Sequence, residues 1–235
     1  MILVKHILVF LMGRPRLFEV NDFAFSTKTP EMEYWTGFLM ADGSVYRRKE
    51  TQQAILKVTL HRKDEKHIEK LREFLQTGYR IFRYNNNSNT PVSELRIPSQ
   101  QIVDDLSQYG VIPRKSMNAE VFMLQDSADF WRGVMDGDGY LGTAPTNDVD
   151  IVGSFNLLSQ FSYYVKSIIL NAPFPKIVPH KSIYRLRLRK IHKVKILQTL
   201  YYDNCISLER KYIRAQNILQ FYSSCQIKTS WNGET

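Results

Sequence analysis

Residues 34–43, "YWTGFLMADG", decide how this chain is read, because an apolar, aromatic helix there ends on an acid, Asp42. Just upstream, Thr29-Pro30-Glu31 make a well-formed helix start: a capping hydroxyl, a proline for the first helical position, and an acid near the positive end of the helix dipole. Just downstream, Gly43 occupies the place where helices commonly close on a left-handed residue. Asp42 therefore stands at the negative end of the dipole, an arrangement unfavourable by about 0.3–1 kcal/mol when exposed. The helix is well formed at one end and mismatched at the other.

The arrangement occurs twice. "DFWRGVMDGDGYLG", Asp129 to Gly142, repeats the order aromatic residue, Trp, one residue, Gly, three residues, small residue, Asp, Gly. Asp138 stands 96 positions after Asp42, and Lys211 in "SLERKY" stands 96 positions after Lys115 in "VIPRKS". Two separate landmarks with one offset imply a duplicated unit. The chain divides into an N-terminal extension (1–28), a first repeat (29–115), a linker (116–126), a second repeat (127–222) and a C-terminal tail (223–235).

Within each repeat the pattern is helix, two strands, helix, two strands, helix, which defines an α+β fold of pseudo-twofold αββαββα units. In "IYRLRLRK", Arg185, Arg187 and Arg189 alternate with Tyr184, Leu186 and Leu188, so one sheet face is cationic. The first-repeat counterpart "YRIFRYNNNSNTPVSELRI" reads as a hairpin with Arg80, Arg83 and Arg96 in or beside it and a polar loop from Asn85 to Asn89. "DEKHIEKLREFLQ" and "SQFSYYVKSIIL" read as matching helices capped by Asp64 and Ser159.

Composition narrows the partners. The 235 residues are 43% hydrophobic, enough for one large core or two modest ones, and 32 Lys plus Arg against 23 acids give a net charge of +9. That balance favours a polyanion, either nucleic acid or an anionic membrane face. Cys205 and Cys225 lack the paired spacing of a disulfide framework or zinc site, so an intracellular, reducing setting is expected. His61, His67, His180 and His192 lack metal-site spacing and are assigned to surface or core. "MILVKHILVFL" is shorter than the ~20 residues of a membrane span and is broken by Lys5 and His6. It reads as a short strand, a frayed extension or an upstream start ahead of Met12; "MGRPR" offers no signal cleavage site.

Gly37 and Ala41, like Gly133 and Gly137, are four residues apart, so each repeated helix carries a stripe nearly free of side chains. If the stripes pack together, the two C-termini converge and bring Asp42 to Asp138. Like charges at two negative dipole ends are unfavourable without a cation. A hard divalent ion resolves the conflict, and few protein oxygens suit Mg²⁺ held partly by substrate phosphate. Asp136, two residues from Asp138 and about 200° around the helix, is expected to be a buried helix-end polar group rather than a third ligand.

At these residues the chain resembles the LAGLIDADG homing endonucleases, specifically the single-chain type with two motif copies, over roughly Met12 to Tyr222. Trp35 to Gly43 and Trp131 to Gly139 each match the nine motif positions, with Met40 replacing the acid at the sixth. The resemblance implies a site-specific, metal-dependent double-strand DNA endonuclease acting as a monomer on a long asymmetric target, with antiparallel sheets forming a saddle over the DNA and no membrane role. It makes Asp42 and Asp138 the metal ligands, with Ala41 and Gly137 as further metal contacts, and Mg²⁺ the ion, whose sites Mn²⁺ or Ca²⁺ would also occupy. It gives Lys115, Lys211 and Lys57 catalytic roles, the last where the family has a polar residue contacting active-site water. The second-repeat counterpart of Lys57 is expected near Val152, beside Asp150 and Ser154, so the halves are unequal. Expected DNA contacts are Tyr46, Arg47, Arg48, Gln53, Arg80, Arg83, Arg96, Arg185, Arg187 and Arg189. "GRPR", Gly13 to Arg16, fits a minor-groove arm or a solvated tail. The alternative is a non-cleaving nucleic-acid binder on the same scaffold, an RNA maturase with intron RNA as partner or a transcriptional regulator. An intein fits less well, since no nucleophile begins the chain and "SWNGET" lacks a His-Asn ending.

Overall fold

The computed structural model describes residues 16–144 and 146–231. The first series of elements is α1 (Pro30–Asp42), β1 (Gly43–Arg47), β2 (Ala54–His61), α2 (Glu65–Phe74), β3 (Phe82–Asn85), β4 (Pro91–Pro98) and α3 (Gln100–Gln108). The second is α4 (Ala128–Asp138), β5 (Gly139–Leu141), β6 (Val149–Gly153), α5 (Phe155–Ile168), β7 (Ile177–His180), β8 (Ile183–Leu188) and α6 (Lys190–Leu200), and α7 (Glu209–Trp231) follows. Both sheets are antiparallel and share one topology, β1-β2-β4-β3 and β5-β6-β8-β7. The fold is therefore α+β with a repeated αββαββα order. "MILVKHILVFL" and Gly13 to Pro15 of "GRPR" lie outside the described residues, while Arg16 is ion-paired with Asp22. Among the described residues no helix is long and apolar enough to cross a membrane.

The repeats meet along α1 and α4. The Thr29 hydroxyl caps α1 by accepting from the Met32 amide at 3.1 Å, and Ser127 caps α4 by accepting from the Phe130 amide at 3.0 Å. The glycine stripes face each other with no room to spare: a Cβ on Gly37 would fall 1.9 Å from the Phe130 carbonyl oxygen, one on Gly133 would fall 2.2 Å from the Tyr34 carbonyl oxygen, and one on Gly137 would fall 2.4 Å from the Ala41 Cβ. These contacts are pseudo-symmetric, since Tyr34, Gly37 and Ala41 each stand 96 positions before Phe130, Gly133 and Gly137. Around the crossing, Trp35, Phe38, Trp131 and Val134 are fully or almost fully buried and join the two cores into one cluster.

Several local expectations change. Gly43 and Gly139 are extended, φ −83° and −81°, rather than left-handed. Each helix runs directly into a strand, and the glycine is needed because a Cβ would lie 2.6 Å from the Leu39 carbonyl oxygen at Gly43 and 2.4 Å from that of Met135 at Gly139. Asp64 makes no capping bond in α2; its carboxylate instead accepts from Arg210 Nε at 3.1 Å. Ser154, not Ser159, caps α5, because the apolar Phe155-Asn-Leu-Leu turn is already helical and Leu157 and Leu158 feed the core. The last helix continues past Tyr222 to Trp231.

Strand register separates the two faces of each sheet. In β2 and β4 the buried Leu56, Val58, Leu95 and Ile97 face the helices, so Lys57, Thr59, Glu94 and Arg96 lie on the outward face. In β6 and β8, Val149, Ile151, Leu186 and Leu188 face inward and Asp150, Arg185 and Arg187 outward. Replacing Gly37 by Ala forces a methyl into the Phe130 backbone, where only separation of the helices relieves it; a loss of about 1–3 kcal/mol is expected. Thermal or urea unfolding of Gly37→Ala against wild type reads this as a lowered midpoint.

Candidate metal centre and nucleic-acid interface

The convergence of α1 and α4 places two carboxylates at one end of the helix pair. A Cβ on Gly137 would lie 3.3 Å from Asp42 Oδ2, so the Asp42 carboxylate lies over the residue that precedes Asp138. The Asp42 side chain is open to solvent on one side while the surrounding protein displaces much of its hydration. This desolvation raises its pKa, against the opposing charges of Lys211, Lys115 and Arg210. Burial, followed by the charge of Asp42, pushes Asp138 up to about 7, with Lys115 and Lys211 acting in the opposite sense. The pair is in electrostatic conflict.

The lysines resolve the helix-end problem posed by the sequence. Lys115 is 6% and Lys211 3% exposed. Lys115 Nζ donates to the Gly43 carbonyl, and Lys211 Nζ donates to the Gly139 carbonyl and, at 3.3 Å, to that of Met135. Each ammonium thus sits on the carbonyl-rich end of a motif helix, where positive charge is favoured. Burial lowers both pKa values, that of Lys211 to about 8, while Asp136 and Asp42 pull Lys211 back up. Lys115 is set by a 3-10 turn, Lys115–Met117, behind a left-handed Arg114 at φ 58°, whereas Lys211 lies in the first turn of α7. This capping role was not apparent from residue types, because nothing local in "VIPRKS" points to Gly43.

Among the described residues no group of three or more His, Cys, Asp or Glu side chains forms a metal cage. Two carboxylates, raised in pKa chiefly by burial, with the backbone of Ala41 and Gly137 alongside, fit a hard divalent cation that completes its shell with water and substrate oxygens. They do not fit a structural zinc site.

Asp136 is fully buried, as expected of a helix-end polar group, and accepts three hydrogen bonds: from Tyr34 Oη and Tyr201 Oη at 2.8 Å each and from the Leu208 amide at 2.7 Å. His67 is buried, and desolvation lowers its pKa to about 3, leaving a neutral ring that contacts Tyr34 Oη at 2.9 Å. Neither faces the Asp42–Asp138 pair as a ligand group.

The predicted nucleic-acid residues divide by face. Lys57, Arg96, Arg185 and Arg187 lie on the outward faces, and Tyr46 and Gln53 fall on the same side by alternation from Lys57 and its cross-strand partner Ser44. Arg80 continues that alternation: the guanidinium groups of Arg80 and Arg96 lie 6.0 and 5.7 Å from the Phe82 ring centroid. Arg48, at the β1–β2 turn, is exposed. Three residues are not where the sequence placed them. Arg83 pairs across from buried Ser93 on the helix side, where its guanidinium holds Glu65 of α2 at 2.7–3.1 Å. Arg47 turns the same way and donates to Gln100 at 2.6 Å. Arg189 lies beyond β8, at the N-cap of α6. Strand alternation could have found the first two: Arg47 and Arg83 have the parity of core residues Val45 and, across the ladder, Ser93.

Register also relocates the counterpart of Lys57. Ser44 pairs with Lys57 and Lys57 with Arg96; Tyr140 pairs with Asp150 and Asp150 with Arg187. The counterpart is Asp150, not a residue near Val152, because the β5–β6 and β1–β2 connections differ in length. Arg187 clamps Asp150 at 2.8 and 3.0 Å, while Arg96 pairs with the buried Glu94.

No protein-family model matches the sequence, and no curated protein does. Solved structures do. The chain has the fold of the LAGLIDADG homing endonucleases. It is similar to the I-SmaMI LAGLIDADG homing endonuclease bound to cleaved DNA, at 16% identity and a TM-score of 0.56 over 88% of this chain and 93% of that one. It is similar also to the homing endonuclease I-WcaI bound to its DNA recognition sequence, at 14% identity and a TM-score of 0.54 over 81% of this chain and 89% of that one. A third is a glycine-to-serine variant of I-DmoI in complex with its target DNA in the presence of magnesium, at 17% identity and a TM-score of 0.52 over 77% of this chain and 97% of that one.

The sign of the pH dependence follows from Asp138. Its folded-state pKa of about 7 stands above an ordinary aspartate's 3.8. Below both values the group is protonated folded or unfolded; between them the folded state alone holds the proton, so stability falls as pH rises through this window and then levels. Asp138→Asn is therefore expected to melt at a higher temperature than wild type at pH 8 in chelator, with the gap closing toward pH 4. A lower melting temperature for the variant at pH 8 would contradict the conflict inferred at the seam.

Proposed function

We propose that this protein is a site-specific DNA endonuclease that hydrolyses phosphodiester bonds in double-stranded DNA with a divalent metal, Mg²⁺ by preference. Residues 29–115 and 127–222 are its two half-sites, each cutting one strand. The observation that carries this reading is the meeting of Asp42 and Asp138 at the shared end of α1 and α4, in a fold whose solved neighbours include DNA-bound homing endonucleases. The basic balance of the chain and the outward-facing Arg185, Arg187, Arg96 and Lys57 support DNA as the polyanion.

In this reading Asp42 and Asp138, with the backbone of Ala41 and Gly137, are the groups that would hold the metal. A cation bound there supplies Lewis acidity at the phosphoryl oxygens and lowers the pKa of a bound water. The protein's share is placement and charge. Lys115 and Lys211, fixed on helix-end carbonyls, put two positive charges beneath the position where negative charge develops. Lys57 in one half and the Asp150–Arg187 pair in the other leave the two strands in different surroundings. Arg185, Arg80 and Arg48 offer forked donors to guanine edges and phosphates, Arg187 and Arg96 add positive charge to the same face while paired with Asp150 and Glu94, and Tyr46 and Gln53 extend that surface at the β1–β2 turn. Arg47 and Arg83 play no direct part in base contact, because they lie on the helix-facing side of the sheet and hold Gln100 and Glu65 there.

Purified protein with Mg²⁺ is expected to cut DNA that carries its recognition site, selected from a randomised library. Asp42→Asn and Asp138→Asn are each expected to lower the single-turnover rate by at least about a hundredfold while leaving the dissociation constant within about threefold. Wild-type protein that binds its selected site and never cuts it would transfer the reading to a non-cleaving binder. Affinity is expected to fall steeply with salt, with a log–log slope of about −0.9 per neutralised phosphate. A flat salt dependence would remove the basic-sheet argument.

A further inference from the structure

The two motif lysines are supported by different devices, and the difference identifies a positioning residue. Arg132 and Asp136 lie four apart on α4 and both are almost completely buried. Together they grip the chain between α6 and α7. Arg132 donates to the Ile206 carbonyl at 2.7 Å and the Leu200 carbonyl at 3.1 Å, holds Asp129 at 2.5 Å, and lies 5.0 Å from the ring centroids of both Tyr34 and Tyr202. Asp136 accepts from the Leu208 amide at 2.7 Å. The Lys211 amide in turn donates to the Leu208 carbonyl at 2.8 Å. The residue whose amide Asp136 holds is thus the one on which the turn bearing Lys211 is built, and Lys211 Nζ returns to the Met135 carbonyl of the same helix and to that of Gly139 just past its end.

The first repeat has no such clamp. The positions matching Arg132 and Asp136 are Thr36 and Met40. The Thr36 hydroxyl donates to its own helix, at the Met32 carbonyl. Met40 packs toward Gly110, where an added Cβ would lie 3.2 Å from Met40 Cε and 2.0 Å from the Glu120 carbonyl oxygen. Lys115 is therefore placed by apolar packing and a left-handed Arg114, and Lys211 by charged hydrogen bonds, which are the stronger and more directional kind. The clamp also reaches across the seam, since Tyr34 of the first repeat donates to Asp136 at 2.8 Å.

We propose that Asp136 is a positioning residue for the second half-site: by fixing the Leu208 amide it sets where Lys211 stands, so that its loss slows cutting of the strand served by Lys211 and spares the other. This rests on the endonuclease reading, and the tests separate the two. Single-turnover cleavage of DNA labelled on each strand first identifies the strand slowed by Lys211→Ala. Asp136→Asn is expected to slow that same strand about tenfold, to change the opposite strand and the dissociation constant less than twofold, and to add nothing in the Lys211→Ala background. Equal slowing of both strands, or additive losses, would overturn the proposal, since a general loss of stability acts in that way. Tyr201→Phe leaves the Asp136–Leu208 bond and removes one hydroxyl, and is expected to give a smaller loss on the same strand if Asp136→Asn folds poorly. Hydrogen exchange reads the positioning without any cutting: amides at 208–212 are expected to exchange at least about tenfold faster in the variant while 115–117 do not change. Unchanged exchange at 208–212 overturns the proposal, whereas a wild type that cuts neither strand overturns the endonuclease reading alone.

Discussion

The close crossing of α1 and α4 is the constraint on which the rest of the structure depends. Backbone-to-backbone approach at Gly37, Gly133 and Gly137 leaves no volume for a methyl group. That approach fuses two small α+β units into one core and brings two helix C-termini side by side. Everything at the site follows from this. The carboxylates repel each other, the carbonyl-rich helix ends need cations, and the buried lysines meet that need from below.

Stability and chemistry are opposed here. Two acids at the negative ends of two dipoles lower the stability of the protein by itself, and two partly desolvated lysines add their own dehydration. A fold selected only for stability would place neutral caps at these positions. Under the proposed function, a divalent ion and a polyanionic substrate would reverse this conflict. The opposed carboxylates would then become ligands, with the two buried ammonium groups behind them. Sites of this kind are where local rules of helix ending are expected to fail.

Much of this was legible in residue types alone. The Trp-x-Gly pattern, the small residues four apart and the shared offset of 96 fixed the duplication, the parallel order of elements and the meeting of Asp42 with Asp138. What escaped was set by tertiary register. Arg47 and Arg83 are as basic as Arg96, yet strand parity turns them toward α3 and α2, where Gln100 and Glu65 take their donors. Asp150 replaces Lys57 because two hairpin connections differ in length, which an offset taken from helices does not reveal. Gly43 looked like a left-handed cap and is extended, since the helix passes straight into a strand and the glycine serves contact with Leu39 rather than turning. The clamp of Arg132 and Asp136 on the 200–208 segment joins residues about 70 positions apart and has no local signature.

The central claim is that Asp42 and Asp138 share divalent ions with bound DNA at the helix seam. The most direct measurement is a crystal structure of the protein on its selected DNA site with Mn²⁺, using anomalous scattering to locate the metal. The account predicts anomalous peaks between the two carboxylates and the central phosphates, at the end of α1 and α4. Carboxylates turned away from the DNA, or metal bound only elsewhere, would contradict it.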